Sequence, residues 1–235
     1  MSYETRTRHR NRDFKPKCAA ISRGPLDRRQ PDLRVLLDQV HKPHNLSAIL
    51  RTCDATGVFR AHAVLPGREL AIHRTCSAGA GQWVDTVTHS DIGDAVGALQ
   101  AEGIRVYAAH LSTAAVDFRR IDYTRPCAIL MGAERWGVSE AGAAAADGHI
   151  TVPMAGLVES LNVSVAAAVI LFEAQRQREA AGLYARPRLD ADTYRRTLFE
   201  WLHPRLAEHC RRRGEPYPAL DEEGDPIRSA SASRA

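Results

Sequence analysis

Three stretches of the chain gather residue types that can do chemistry. HNLSAILRTCDATGV (residues 44–58) carries Asn45 and Arg51, ILMGAERWGVS (129–139) carries Glu134, and the loop from Ala155 to Asn162 carries Ser160 and Asn162. A hydroxyl and an amide beside the free N–H groups of a starting helix favour polar or anionic atoms. A guanidinium grips phosphate or steadies developing negative charge, and Gly156 would let the backbone come close to a ligand. Each residue alone also has an ordinary reading. Asn45 could cap one helix and Asn162 or Ser164 another, Glu134 could be a surface loop acid, and Arg51 could pair with Asp54 or Glu134.

The elements that must position these residues follow from hydrophobic patterning. TVPMAGLVESLNVSVAAAVILFE (151–173) reads as strand, loop and helix. Ahead of it, strands are expected at 33–40, 61–65, 84–88, 104–110, 127–132 and 149–153, with helices at 45–56, 91–101 and 139–146. Strands separated by helical segments imply an α/β fold with a mainly parallel sheet covered on both faces, and in such sheets ligands bind at the C-terminal strand ends. No GxGxxG or GxxxxGK[ST] occurs, which argues against an ordinary dinucleotide or P-loop site. Residues 190–213 read as one further helix with an apolar stripe of Tyr194, Leu198, Leu202 and Leu206, and a basic opposite face.

Charge is unevenly placed along the 235 residues. The net charge of +4 conceals two basic flanks: residues 1–30 carry nine Lys/Arg against three acids, and 176–213 carry ten against five. The centre, 31–175, carries eleven against fifteen. Such a layout suits a polyanion held by appended segments, although arginine-biased coding would give the same count. Five cysteines, at 18, 53, 76, 127 and 210, lack zinc-like spacing, and inert thiols in a reduced compartment are the expectation. His41, His44, His73, His89 and His110 show no metal-ligand spacing, and no apolar run is long enough for a membrane span, so neither metal nor membrane is expected.

In order and spacing the three stretches resemble the three motifs of the knotted SPOUT RNA methyltransferases, in the TrmH branch. QVHKPHN (39–45), DFRRIDYTRP (117–126), SLNVSVA (160–166) and EAQRQR (173–178) also fit, and the likeness runs from about Arg29 to Pro218. The resemblance implies a C-terminal deep trefoil knot and bent S-adenosylmethionine held mainly through backbone groups at Ala109, Met131, Gly132, Val152, Leu157 and Leu161. It further implies a homodimer in which Asn45 and Arg51 serve the cofactor of the other subunit, and a cytoplasmic enzyme acting on tRNA.

The reaction implied is 2′-O-methylation of the guanosine at position 18 of the tRNA D-loop; ribosomal RNA, another tRNA position, or RNA binding without catalysis are the alternatives. Asn45, Arg51, Glu134, Ser160 and Asn162 would form the catalytic group, with Arg51 either as a base or as a charged stabiliser of the attacking oxygen. Arg28, Arg29, Arg195, Arg196, Arg211 and Arg212 would contact RNA. The expected organisation is a basic, flexible extension at 1–28, a methyltransferase domain at 29–180, and a C-terminal basic helix with a loose tail at 181–235.

Overall fold

The run LRVLLD sends alternate side chains to two separate cores, and this sets the layers of the fold. Leu33, Val35 and Leu37 enter one core with Ile49, Leu50, Ile129 and Ile170. Leu36 enters the other with Ala128, Leu130, Val96 and Leu99. A strand buried on both faces must lie inside a sheet that carries helices on each side. A computed structural model describes residues 19–64 and 83–227. The basic residues before position 19, together with Cys18, Leu65, His73 and Cys76, lie outside the described residues.

The first unit comprises Pro25–Ala191. Its elements are β1 (Gln30–Asp38), α1 (Pro43–Ala55), β2 (Val58–Val64), β3 (Asp85–His89), α2 (Ile92–Ala101), β4 (Arg105–Ala109), β5 (Val116–Asp117), β6 (Cys127–Met131), α3 (Glu140–Ala145), β7 (Gly148–Thr151) and α4 (Val163–Ala180). Among the described residues the strands form one sheet in the order β3-β2-β1-β6-β4-β7-β5, and every pairing is parallel. Four neighbouring strands, β1, β6, β4 and β7, therefore deliver their C-terminal loops to one edge. All four loops carry residues singled out from the sequence.

The second unit holds α5 (Ala191–Leu202) and α6 (Pro204–Arg213), together with residues 19–24. Here the expected single helix at 190–213 is two. Pro204 has no N–H and disfavours helical geometry in the residue before it, and His203 leaves the helix at φ −129° and ψ 58°. The break also redistributes the stripe: Thr197, Leu198, Phe199 and Trp201 are buried, whereas Tyr194, Leu202 and Leu206 are half-buried. Residues 19–27, expected to belong to a flexible extension, form a helix.

One buried cation ties the threadlike end of α4 to the start of β1. Arg178 is fully buried; its guanidinium donates to Asp32 Oδ1 (2.6 Å), Gln30 Oε1 (3.1 Å), and the carbonyls of Tyr123 (2.8 Å) and Arg125 (3.1 Å). Arg188 doubles the pairing on Asp32 at 2.6 and 3.0 Å. Burial alone would raise the Asp32 carboxyl, but Arg188 and Arg178 outweigh it and hold its pKa below the ordinary value. Gln177 closes the same join, accepting from Tyr123 N–H (2.9 Å) and donating to the Ile121 carbonyl (3.0 Å). Because Arg178→Ala takes the donor from the Tyr123 and Arg125 carbonyls and leaves Asp32 to Arg188 alone, it is expected to cost about 2–4 kcal/mol in denaturant unfolding. A cost below about 1 kcal/mol would show that the clamp is not what holds this end of α4.

Candidate active site

The loop after β6 is built so that Glu134 turns inward. Gly132 is buried, and a Cβ there would sit 1.9 Å from the carbonyl carbon of Gly137 and 2.0 Å from Val138 N, so only glycine allows the chain to fold back. Ala133 and Gly137 then exchange backbone hydrogen bonds of 2.9 and 2.8 Å, with Gly137 at φ 70°. Arg135 and Trp136 are pushed outward, the guanidinium 4.7 Å from the ring centroid. At the loop's exit, Ser139 caps α3 by accepting from Gly142 N–H (3.1 Å), and Asp38 at the end of β1 accepts from Ser139 N–H (2.8 Å).

Glu134 meets the loop after β1. Pro43 occupies the first turn of α1, and Lys42 at the N-cap has no side-chain capping bond. The capping acceptor comes from elsewhere: Glu134 Oε1 accepts from Lys42 N–H (3.3 Å) and from Asn45 Nδ2 (2.8 Å). Asn45 is only 2% exposed, and its Oδ1 accepts from Asn162 Nδ2 at 3.3 Å. Asn162 is the N-cap of α4, its own Oδ1 accepting from Ser164 N–H (2.8 Å) and Ser164 Oγ (2.6 Å). A carboxylate and two amides thus join the loops after β6, β1 and β7 in one chain, Glu134–Asn45–Asn162. Asn45 uses one N–H and one lone pair in it, and keeps one of each.

Burial would raise the Glu134 carboxyl, but the bonds from Asn45 and the backbone, with His41 nearby, bring it below the ordinary carboxylate value. Its second oxygen, Oε2, is buried without a hydrogen-bond partner among the described residues, with His41 Nδ1 3.6 Å away. Ser112 Oγ, in the loop after β4, is buried and unpartnered in the same way.

The remaining expected residues fall as follows. Met131 and Gly132 are buried at the end of β6, Ala109, the last residue of β4, and Val152, just past β7, are half-buried, Leu161 is half-buried, and Leu157 is fully exposed. Ser160 is exposed, and no hydrogen bond joins it to Arg51. Arg51 is exposed on α1, about 120° round the helix from Asn45. Asp54 and Glu134 are engaged by Arg29 and Asn45 instead of by Arg51.

Arg29 departs from its expected place on an RNA face. It is 1% exposed, paired with Asp54, and donates to the Val58 carbonyl at 3.2 Å, which leaves no surface for a phosphate. Arg28 is exposed and 3.4 Å from Glu179. In the second unit Arg195, Arg211 and Arg212 are exposed but paired with Asp192, Glu200 and Glu208. Asp38, His41 and Ser112 were not expected at the site; a carboxylate ending an apolar strand run was the one available signal, for Asp38. Among the described residues no His, Cys, Asp and Glu cluster could hold a metal ion, and no helix is long and apolar enough to cross a membrane.

The model of the SpoU rRNA methylase family matches residues 32–172, and that of the family's C-terminal region matches 176–229. The chain belongs to the SpoU rRNA methylase family. It is 52% identical over 202 residues to the tRNA (guanosine(18)-2′-O)-methyltransferase of Escherichia coli strain K12, covering 85% of this chain and 88% of that one. The crystal structure of the Aquifex aeolicus TrmH/SpoU tRNA modifying enzyme superposes with a TM-score of 0.74 at 38% identity, over 79% of this chain and 95% of that one. The SpoU methyltransferase AviRb from Streptomyces viridochromogenes, solved with the cofactor AdoMet, gives 0.58 at 28% identity, over 64% and 60%. Both the α/β class and the parallel sheet expected from the sequence are those of this SpoU fold.

The depressed Glu134 carboxyl fixes the sign of a pH effect. Its contribution to stability is complete above the unfolded value near 4.5 and is lost as pH falls through the lower folded value. Thermal unfolding of wild type and Glu134→Gln from neutral pH downward is expected to show a wild-type advantage that shrinks once pH falls below the ordinary carboxylate value. An advantage that grew on acidification would contradict the geometry.

Proposed function

We propose that this chain transfers a methyl group from S-adenosylmethionine to the ribose 2′-hydroxyl of the guanosine at position 18 in the tRNA D-loop. The observation that carries the reading is the Glu134–Asn45–Asn162 chain: it gathers three loops at adjacent strand ends, where an α/β sheet binds its ligand. The E. coli relative supports guanosine 18 over ribosomal RNA, because its likeness spans 85% of the chain.

S-adenosylmethionine, when bound, supplies a methyl group on a positively charged sulfur. The residues present fit it: backbone and apolar surface at Ala109, Met131, Gly132, Val152, Leu157 and Leu161 would hold it, and the unpartnered Ser112 Oγ and Glu134 Oε2 offer polar contacts. Asn45, held from both sides, presents its spare N–H and lone pair to the ribose or an adjacent phosphate. Ser160, on the same loop as Leu157, would bond a phosphate.

When the 2′-hydroxyl takes the methyl group that S-adenosylmethionine would supply, its proton passes to water, because a charged Arg51 cannot accept it. Arg51 stays charged, grips the phosphate beside the reacting ribose, and steadies the oxygen as it becomes anionic. Its place on α1, turned from Asn45, suits action at the site of a second copy. An exposed apolar row on α4, Val165, Val169 and Phe172, at helical spacing, supports a homodimer through that helix. The hydrogen bonds between Gln177 and Arg178 on one side and residues 121–125 on the other support the threading of α4 that a knot requires. A cytoplasmic location follows from the tRNA substrate, and the exposed Arg28, Arg196, Arg211 and Arg212 would supply phosphate contacts.

Mass-spectrometric nucleoside mapping of unmodified tRNA incubated with protein and cofactor is expected to show 2′-O-methylguanosine at position 18. Arg51→Ala is expected to lower single-turnover transfer by about a hundredfold or more. Recovery of most activity in Arg51→Lys, with a lower apparent pKa, would turn the argument toward a base at this position. Methylation on a base would overturn the reaction itself. For the assembly, Val169→Glu combined with Phe172→Glu is expected to give a monomer by light scattering; a dimer surviving both changes would place the interface elsewhere.

A further inference from the structure

The second unit contains a cleft of about 460 Å³ between the start of α5 and the segment after α6, lined in part by Asp192, Arg196, Arg211, Glu215 and Tyr217. One wall is fixed. The Tyr217 ring lies parallel to buried Phe199, centroids 4.7 Å apart at 15°, and its hydroxyl donates to Glu200 Oε1 (2.8 Å) while accepting from Arg211 Nη1 (3.0 Å).

The charges in the cleft are spent unequally. Asp192 is paired with Arg195, and Glu215 with Arg213 at 2.7 Å, so neither lining acid is left unopposed. Arg211 is engaged by Glu200 and Tyr217. Arg196 is exposed and has neither ion pair nor hydrogen bond among the described residues. A rigid aromatic wall beside an unspent guanidinium is the pairing that takes an unstacked base and its phosphate.

We propose that this cleft is a subsite for one unstacked nucleotide of the tRNA, with the base against Tyr217 and the phosphate on Arg196. The proposal rests on tRNA being the substrate, and it divides labour among arginines that composition alone treats alike. Arg196 grips the ligand directly; Arg195 and Arg213 neutralise the cleft's acids.

Filter binding of an unmodified tRNA transcript to the full chain tests this separately from methyl transfer. Arg196→Glu and Tyr217→Leu are each expected to weaken the complex by about tenfold or more. Arg196→Glu should also reduce the slope of log affinity against log salt by about one, while Tyr217→Leu leaves the slope alone, since a stacking loss releases no counterion. S-adenosylmethionine affinity by calorimetry, unchanged within about twofold, certifies the fold of each variant. Should Tyr217→Leu fail to fold, photocrosslinking of 4-thiouridine-substituted tRNA to wild type replaces it, with crosslinks expected at Tyr217. Undiminished tRNA binding in Arg196→Glu, or crosslinks that never map to residues 192–217, would overturn the proposal. A wild type that binds tRNA but leaves its guanosine unmethylated would overturn the proposed reaction and leave the cleft standing.

Discussion

The carboxylate of Glu134 is the constraint on which the rest of the site depends. It lies at the N-terminus of α1, accepts from Lys42 N–H and Asn45, and through Asn45 reaches the cap of α4. Three loops that are far apart in sequence are therefore fixed by two amide side chains and one acid. In a half-buried setting such bonds are strong when complete and costly when broken, since any one deletion leaves the others unsatisfied. Rigidity at this point suits methyl transfer, because a reacting hydroxyl must be held in position.

A second join, at the opposite edge of the sheet, holds the frame that carries those loops. Arg178 spans Gln30, Asp32, Tyr123 and Arg125, so the last turn of α4, the first residues of β1 and the 118–126 segment move as one. The N-cap of α4 bears Asn162 and its last turn bears Arg178, and the helix thus connects the reactive edge to the anchored edge. Between them, its outward row of Val165, Val169 and Phe172 is exposed, the face proposed to meet a second copy. One helix thus links the loop chain at Asn162 to the frame at Arg178.

Most of the sheet was legible because long apolar runs have one physical solution. CAILM and LRVLLD can satisfy their side chains only inside a covered parallel sheet, and β6 and β1 lie where those runs predict. The two-residue β5 was not legible, since two residues carry no period. The start of β1 at Gln30 was missed because its polar side chains are satisfied by Arg178 and Arg188, about 150 residues away. Pro204 was visible, but the apolar stripe across it suggested continuity, and the backbone rule prevailed. Among the site residues, the types and spacing of Asn45, Glu134 and Asn162 located the loops, but not the bonds between them. Arg29 looked like its exposed neighbour Arg28, and only the fold distinguishes a buried partner of Asp54 from a surface cation.

Glu134 and Asn45 are proposed to act on the reaction as one unit. A double-mutant cycle in single-turnover methyl transfer, using Asn45→Ala, Glu134→Ala and the pair, measures this directly. The hydrogen-bonded chain predicts strongly non-additive effects, with a coupling above about 1 kcal/mol and a double variant little worse than either single one. Additive losses, with a coupling below about 0.3 kcal/mol, would contradict it and return Asn45 and Glu134 to independent structural roles.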